Sequence, residues 1–207
     1  MKDTQTPFRQ MCYACNRPQK SCLCRSAHPI KTKTKFVILI HPKEYKQIKN
    51  NTGRLTHLSL PNSHLFVGVD FTKHIQVNAI INDSKNYCVI LFPSSKSITL
   101  NTTPLPLHDK QLVIFIIDAT WASAKPMLRL SKNLHHLQKI SFLHTKTSAY
   151  TFKRQPFKQA LSTIESTLCV LEILEEKGIE KISKQALESF LHPFKEMVKF
   201  QIKCNKS

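Results

Sequence analysis

Five short apolar runs, separated by stretches of helical character, constrain this chain more than any other feature. They are Phe36 to Ile40, Leu65 to Val69, Cys88 to Phe92, Leu112 to Ile117 and Ile140 to Leu143. Each is far too short to span a bilayer and is rich in β-branched or aromatic residues, so each reads as a strand buried on both faces. Between them, Glu44 to Asn50, Thr52 to Leu60, His74 to Ile81 and Trp121 to Leu134 carry helix-like patterns. Strands alternating with helices predict an α/β fold, a mostly parallel sheet with flanking helices. The C-terminal third is helical. Gln159 to Glu176 puts Leu161, Ile164, Leu168, Leu171 and Leu174 on one stripe, with Gly178 as C-cap. Ser183 can N-cap a last helix with apolar Leu187, Leu191, Phe194, Val198 and Ile202, which Pro193 kinks or splits.

Ahead of the first run lies a segment that cannot fold by burial. Cys12, Cys15, Cys22 and Cys24 fall in a C-x2-C-x6-C-x-C spacing with little apolar content around them. Four thiolates close a tetrahedral site, and a closed site is structural, so a Zn2+ ion that supplies the folding energy is expected. The division that follows is a four-cysteine zinc-binding N-terminal segment, 1–30, and a main domain, 31–207. Cys88 and Cys169 lie in a strand and a helix and read as buried small hydrophobes. Residues 1–30 contain no apolar signal-peptide core, which points to a cytoplasmic protein with no membrane partner.

Charge narrows the partner. There are 31 Lys and Arg against 13 Asp and Glu, for a formal net charge of +18. No acid occurs between Asp118 and Glu165, while Lys125, Arg129, Lys132, Lys139, Lys146, Lys153, Arg154 and Lys158 do. Segregated positive charge of this kind suits a polyanion, nucleic acid before membrane. With only three Gly, and no G-x-G-x-x-G or G-x-x-x-x-G-K-[ST], the common nucleotide-binding loops are excluded.

In open α/β sheets ligands bind beyond the carboxyl ends of the strands. Those ends carry His41-Pro42-Lys43-Glu44, Asp70, Phe92-Pro93-Ser94-Ser95, Asp118-Ala119-Thr120-Trp121 and His144-Thr145-Lys146. A carboxylate that ends a buried strand, as Asp118 does, needs partners or a task. Capping the next helix is its simplest role, and acid–base or ammonium-binding chemistry is the functional one. Trp121, the only Trp, is either core or a stacking surface for a ring. Asn51-Thr52-Gly53-Arg54 reads by itself as an ordinary loop. Ser162 and Glu165 have the spacing of a capping box. Tyr150 to Pro156 interleaves aromatics and cations, a weak sign of nucleic-acid contact.

Taken in order, six pieces together resemble the DTW-domain family of tRNA-uridine aminocarboxypropyltransferases. They are the Cys cluster, His41-Pro42-Lys43-Glu44, Asn51 to Leu55, Leu91-Phe92-Pro93-Ser94, Asp118-Ala119-Thr120-Trp121 and Leu161 to Glu165. Asp118, Thr120 and Trp121 match the name-giving D-x-T-W. Ser166 departs from the small apolar residue expected after the Glu. The resemblance makes 31–207 the catalytic domain and implies a fold related to the SPOUT methyltransferases, with a deeply tucked or knotted C-terminal part. It implies that the 3-amino-3-carboxypropyl group of S-adenosylmethionine, a substrate, passes to N3 of a uridine in tRNA, leaving methylthioadenosine. Leu91, Phe92, Pro93, Ser94, Thr120, Trp121, Leu161, Ser162, Thr163 and Glu165 are then cofactor-binding candidates, and Asp118 is the catalytic one, as general base or as ligand of the cofactor's amino group. Lys43, Arg54, Lys125, Arg129, Lys153 and Arg154 are RNA-binding candidates. An RNA methyltransferase on the same scaffold, or a non-catalytic zinc-bearing RNA-binding module, are the alternatives.

Overall fold

The computed structural model describes residues 10–48, 50–145 and 161–205. A small antiparallel hairpin comes first, β1 (Met11–Cys12) with β2 (Arg17–Pro18). The body follows as β3 (Lys35–Ile40), α1 (Pro42–Gln47), α2 (Thr52–Ser59), β4 (Ser63–Val67), α3 (Ile75–Asn82), β5 (Asn86–Leu91), β6 (Ile98–Thr99), β7 (Gln111–Asp118), α4 (Trp121–Leu130), β8 (Gln138–Ser141), α5 (Thr163–Glu176), α6 (Lys184–Ser189) and α7 (His192–Asn205). The sheet has the order β4-β3-β7-β5-β8-β6 and every pairing is parallel.

The central strands are buried almost throughout, and successive side chains point to opposite faces, so the sheet separates two cores. Phe36, Val89, Ile114, Ile116 and Ile140 meet Leu55 of α2, Ile164 to Leu174 of α5, and Phe194 and Met197 of α7. Val37, Leu39, Ile90, Val113 and Phe115 meet Val77 of α3 and Met127 and Leu128 of α4. The helices that follow the neighbouring strands β3 and β7 therefore lie on opposite faces.

The α/β fold expected from the alternation is the one observed, with local corrections. β4 is not buried on both faces. It is an edge strand with Val67 40% exposed, because nothing pairs beyond it among the described residues. The pattern carries the helix at Trp121 through to Leu134, but α4 stops at Leu130. Buried Ser131 turns its hydroxyl to the backbone N–H of Phe71 (3.0 Å), and a separate 3-10 turn follows at Lys132–Leu134. Pro193 splits the last helix into α6 and α7, and Ser183 does cap α6 by accepting from the Ala186 N–H. Ile202, assigned to the apolar stripe, is exposed, while Phe190 and Met197 are buried in its stead. Gly178 ends α5 at φ 69°, the left-handed conformation a glycine C-cap needs. No helix among the described residues is long and apolar enough to cross a membrane.

Candidate functional site

A cavity of about 320 Å³ opens at the carboxyl ends of β5, β7 and β8, where α5 begins. Its walls are Leu91, Phe92 and Pro93 at the end of β5, Ile116, Ile117 and Ala119 at β7, Trp121 and Ala124 of α4, Ser141, Phe142 and His144 at β8, and Leu161, Thr163 and Ser166. Six of the cofactor candidates are thus brought together: Leu91, Phe92, Pro93, Trp121, Leu161 and Thr163. Trp121 is 37% exposed and is not core. Its ring stands 6.0 Å from that of Phe92 at 58°, an aromatic corner at the mouth. Such a corner offers ring faces and edges to a planar ligand.

The remaining four candidates do not line the cavity. Ser94 is an exposed loop residue and Thr120 is the N-cap of α4. Ser162 and Glu165 form the capping box of α5, the Ser162 N–H donating to Glu165 Oε2 at 2.9 Å, so the structural role open for this pair is realised. Conversely, Ser141, Phe142, His144 and Ser166 were given no role in sequence. His144 stands at a strand end, where a signal existed. Ser166 was visible only as a departure from pattern.

Asp118 sits one layer behind the cavity wall. It is 5% exposed, and both carboxylate oxygens accept from side chains. Asn51 Nδ2 donates to Oδ2 at 2.6 Å, and the Thr163 hydroxyl donates to Oδ1 at 2.5 Å. The backbone closes the same junction, since the His41 N–H donates to the Asp118 carbonyl at 3.1 Å. Asp118 does not cap the helix that follows it. It braces two others at their starts. Asn51 is the N-cap of α2, accepting from the Arg54 N–H at 2.8 Å, and Thr163 is the first residue of α5. Asn51 to Arg54 is therefore no ordinary loop. A Cβ at Gly53 would stand 2.5 Å from Asp118 Oδ2, so only a glycine lets α2 come this close to the carboxylate.

The cationic candidates divide. Lys125 and Arg129 are exposed and follow Trp121 at i+4 and i+8, making one stripe that runs from the cavity mouth along α4. Lys43 is exposed in α1. Arg54 is half-buried, its guanidinium 4.0 Å over the Tyr45 ring and donating to the Tyr45 carbonyl, so it braces the turn between α1 and α2. Lys153 and Arg154 lie outside the described residues.

The four cysteines converge. Their sulfurs all lie within 4.8 Å of one another, with Cys12–Cys24 at 3.6 Å and Cys15–Cys22 at 3.8 Å. Tetrahedral Zn–S bonds of about 2.3 Å place sulfurs about 3.8 Å apart, so this cluster has the size of a zinc site and not of a disulfide pair. Protons alone satisfy it poorly. Backbone N–H groups at Cys15 and Ala14 pull the Cys12 thiol down to about 6, while burial pushes the Cys24 thiol up. A bound divalent cation would let all four ionise.

Curated relatives share most of this chain. It is 28% identical over 198 residues to tRNA-uridine aminocarboxypropyltransferase 2 of Macaca fascicularis, covering 94% of this chain and 64% of that protein. It is 27% identical over 201 residues to the protein of the same name in Drosophila melanogaster, covering 94% and 76%. It is 28% identical over 234 residues to tRNA-uridine aminocarboxypropyltransferase A of Arabidopsis thaliana, covering 100% and 87%. The chain thus spans a little under two thirds of the length of the first of these. No solved structure matches it. The family model described as the DTW domain matches residues 9–202, a span that includes the Cys cluster, the Asp118 junction and every wall of the cavity, and the chain belongs to the DTW domain family.

Proposed function

We propose that this chain moves the 3-amino-3-carboxypropyl group of S-adenosylmethionine to N3 of a uridine in tRNA. The observation that carries the reading is the cavity itself, a largely apolar pocket at the strand carboxyl ends, to whose wall the Asp118-x-Thr120-Trp121 segment contributes Ala119 and Trp121. The relatives named for this transfer supply the reaction. The N3–C bond forms as the C–S bond breaks, the electron pair of that bond stays on sulfur as methylthioadenosine leaves, and the N3 proton passes to solvent water. The sulfonium is already activated, so the protein's task is to bind, orient and accept charge.

Within that reading Phe92 and Trp121 flank the planar part of the ligand, and Leu91, Pro93 and Leu161 exclude water around it. Asp118 serves as a positioning residue. Its carboxylate accepts the hydrogen bond of the Thr163 hydroxyl and so turns the hydroxyl's lone pairs toward the cavity, where they face a cationic ligand or the N3–H. The stripe of Trp121, Lys125 and Arg129 leads the tRNA backbone to the pocket, with Lys43 contributing from α1. Zinc held by Cys12, Cys15, Cys22 and Cys24 is structural and supplies no step of the transfer.

The test is incubation with S-adenosylmethionine and bulk tRNA, followed by mass analysis of digested nucleosides and of the thioether. An aminocarboxypropyl uridine with methylthioadenosine is expected. Methylated nucleoside with S-adenosylhomocysteine would identify a methyltransferase instead, and tRNA binding without turnover would leave only a binding module.

A further inference from the structure

We infer that the Cys-bound hairpin is a second tRNA contact, in which Tyr13 stacks on an unpaired nucleobase while Lys20 and Arg25 hold flanking phosphates. This rests on the tRNA reading above and adds a contact outside the pocket. Tyr13 sits at the tip of the hairpin between two of the cysteines and is 97% exposed. A ring so bare contributes nothing to folding by burial, and the hairpin beneath it is held by other means. The Asn16 N–H donates to the Cys12 carbonyl at 2.8 Å, and Asn16 takes a left-handed φ of 55° to close the turn. The segment that carries the ring is one-signed in sequence. The sequence has no Asp or Glu between Asp3 and Glu44, and Lys20 and Arg25 are both exposed. An exposed aromatic among unopposed cations on a rigid support is the arrangement that binds single-stranded bases by stacking and backbone by charge.

The hairpin is also tied to the end of the sheet where the cavity opens. Buried Arg17, in β2, donates through Nε to the Ser21 carbonyl at 2.9 Å and through Nη1 to Asn50 Oδ1 at 3.2 Å. Asn50 precedes Asn51, whose amide holds Asp118, and itself donates to Gln201 of α7 at 2.7 Å. In the proposed complex a single tRNA, large beside either feature, contacts both the cavity and the hairpin.

The experiment uses the full chain loaded with zinc. Affinity for unmodified tRNA and transfer kinetics at saturating S-adenosylmethionine are measured for Tyr13→Ala and Tyr13→Phe. Tyr13→Ala is expected to weaken tRNA binding about 5- to 150-fold, the loss appearing in KM for tRNA, and Tyr13→Phe to retain parental binding. The slope of log affinity against log salt stays parental in Tyr13→Ala but flattens in the Lys20→Ala/Arg25→Ala double variant. Ultraviolet cross-linking should recover a tRNA fragment on the peptide containing Tyr13. Parental tRNA affinity in Tyr13→Ala, with transfer intact, overturns this inference and leaves the transferase reading standing. Absence of any tRNA binding by the parent chain overturns both.

Discussion

Replacing Asp118 by Asn separates two ways in which a buried carboxylate can serve a reaction. The amide has nearly the same volume. Its Oδ1 can still accept from Asn51, and its Nδ2 can donate to the Thr163 hydroxyl, which donates to the carboxylate in the native chain. Hydrogen bonds to a charged group contribute about 1.5–3 kcal/mol and neutral ones about 0.5–1.5, so neutralising two of them costs about 2–3 kcal/mol, partly offset by relief of the carboxylate's desolvation. Domains of this kind are stable by about 5–15 kcal/mol, so Asp118→Asn folds. What changes is the polarity of Thr163, whose proton is now free to point into the cavity. If Asp118 acts through Thr163, single-turnover transfer should fall on the order of 100-fold in Asp118→Asn, the cost of a misplaced reacting group. Thr163→Val should fall comparably, Thr163→Ser should restore most of the rate, and the double variant should be no slower than either single one. S-adenosylmethionine affinity, read through the single Trp121, changes less than the rate, and the pH–rate profile keeps its parental shape. A near-parental Thr163→Val beside a dead Asp118→Asn, or losses that multiply in the double variant, refutes this reasoning and makes Asp118 itself the base.

Four further outcomes follow from the geometry. Gly53→Ala forces a Cβ to within 2.5 Å of Asp118 Oδ2, and overpacking of about 1–3 kcal/mol should lower Tm by roughly 2–12 °C in calorimetry. Protein purified without chelators should carry one zinc per chain by elemental analysis, and its removal should abolish amide-exchange protection of residues 10–28 while that of β3 and β7 persists. Lys125→Ala and Arg129→Ala should each reduce the salt slope of tRNA binding by about one, measured between low and physiological salt. Alkylation of the zinc-loaded chain near neutral pH should label exposed Cys204 first, because burial pushes the Cys88 thiol up to about 11 and cuts its thiolate fraction about 100-fold, with labelling of Cys88 rising as pH rises toward that value.

The parts that could be read from the sequence are those with a local cause. The strands announced themselves because a run such as Leu112 to Ile117 has no apolar alternative to burial on two faces, and the capping box at Ser162 and Glu165 is a matter of three residues. The Cys spacing was enough to foresee that four sulfurs converge within 4.8 Å of one another. Where a second element decides, the pattern failed. β4 carries a core-like run but lies at the edge, and Ser131 ends α4 because Phe71, 60 residues away, needs an acceptor. Glu180 likewise accepts from the Lys33 and Thr34 N–H groups across 147 and 146 residues, a staple no local period could disclose.

The Asp118 junction is the extreme case of this rule. Asn51, Asp118 and Thr163 each come from a segment with a sufficient local explanation: Asn51 as a helix cap, Asp118 as a strand end, Thr163 as a first helical turn. The contacts that join them span 67 and 45 residues. Once joined they cease to be three caps. The carboxylate fixes the start of α2 and the start of α5 against the end of β7, and α5 supplies a wall of the cavity that the strands alone leave open. The buried charge at that point joins two helix starts to a strand end and orients one hydroxyl of the cavity wall, that of Thr163. The same junction explains why a residue of unchanged shape but altered charge is the sharpest probe of it. Volume there is constrained by Gly53, so a larger substitution reports on packing before it reports on chemistry.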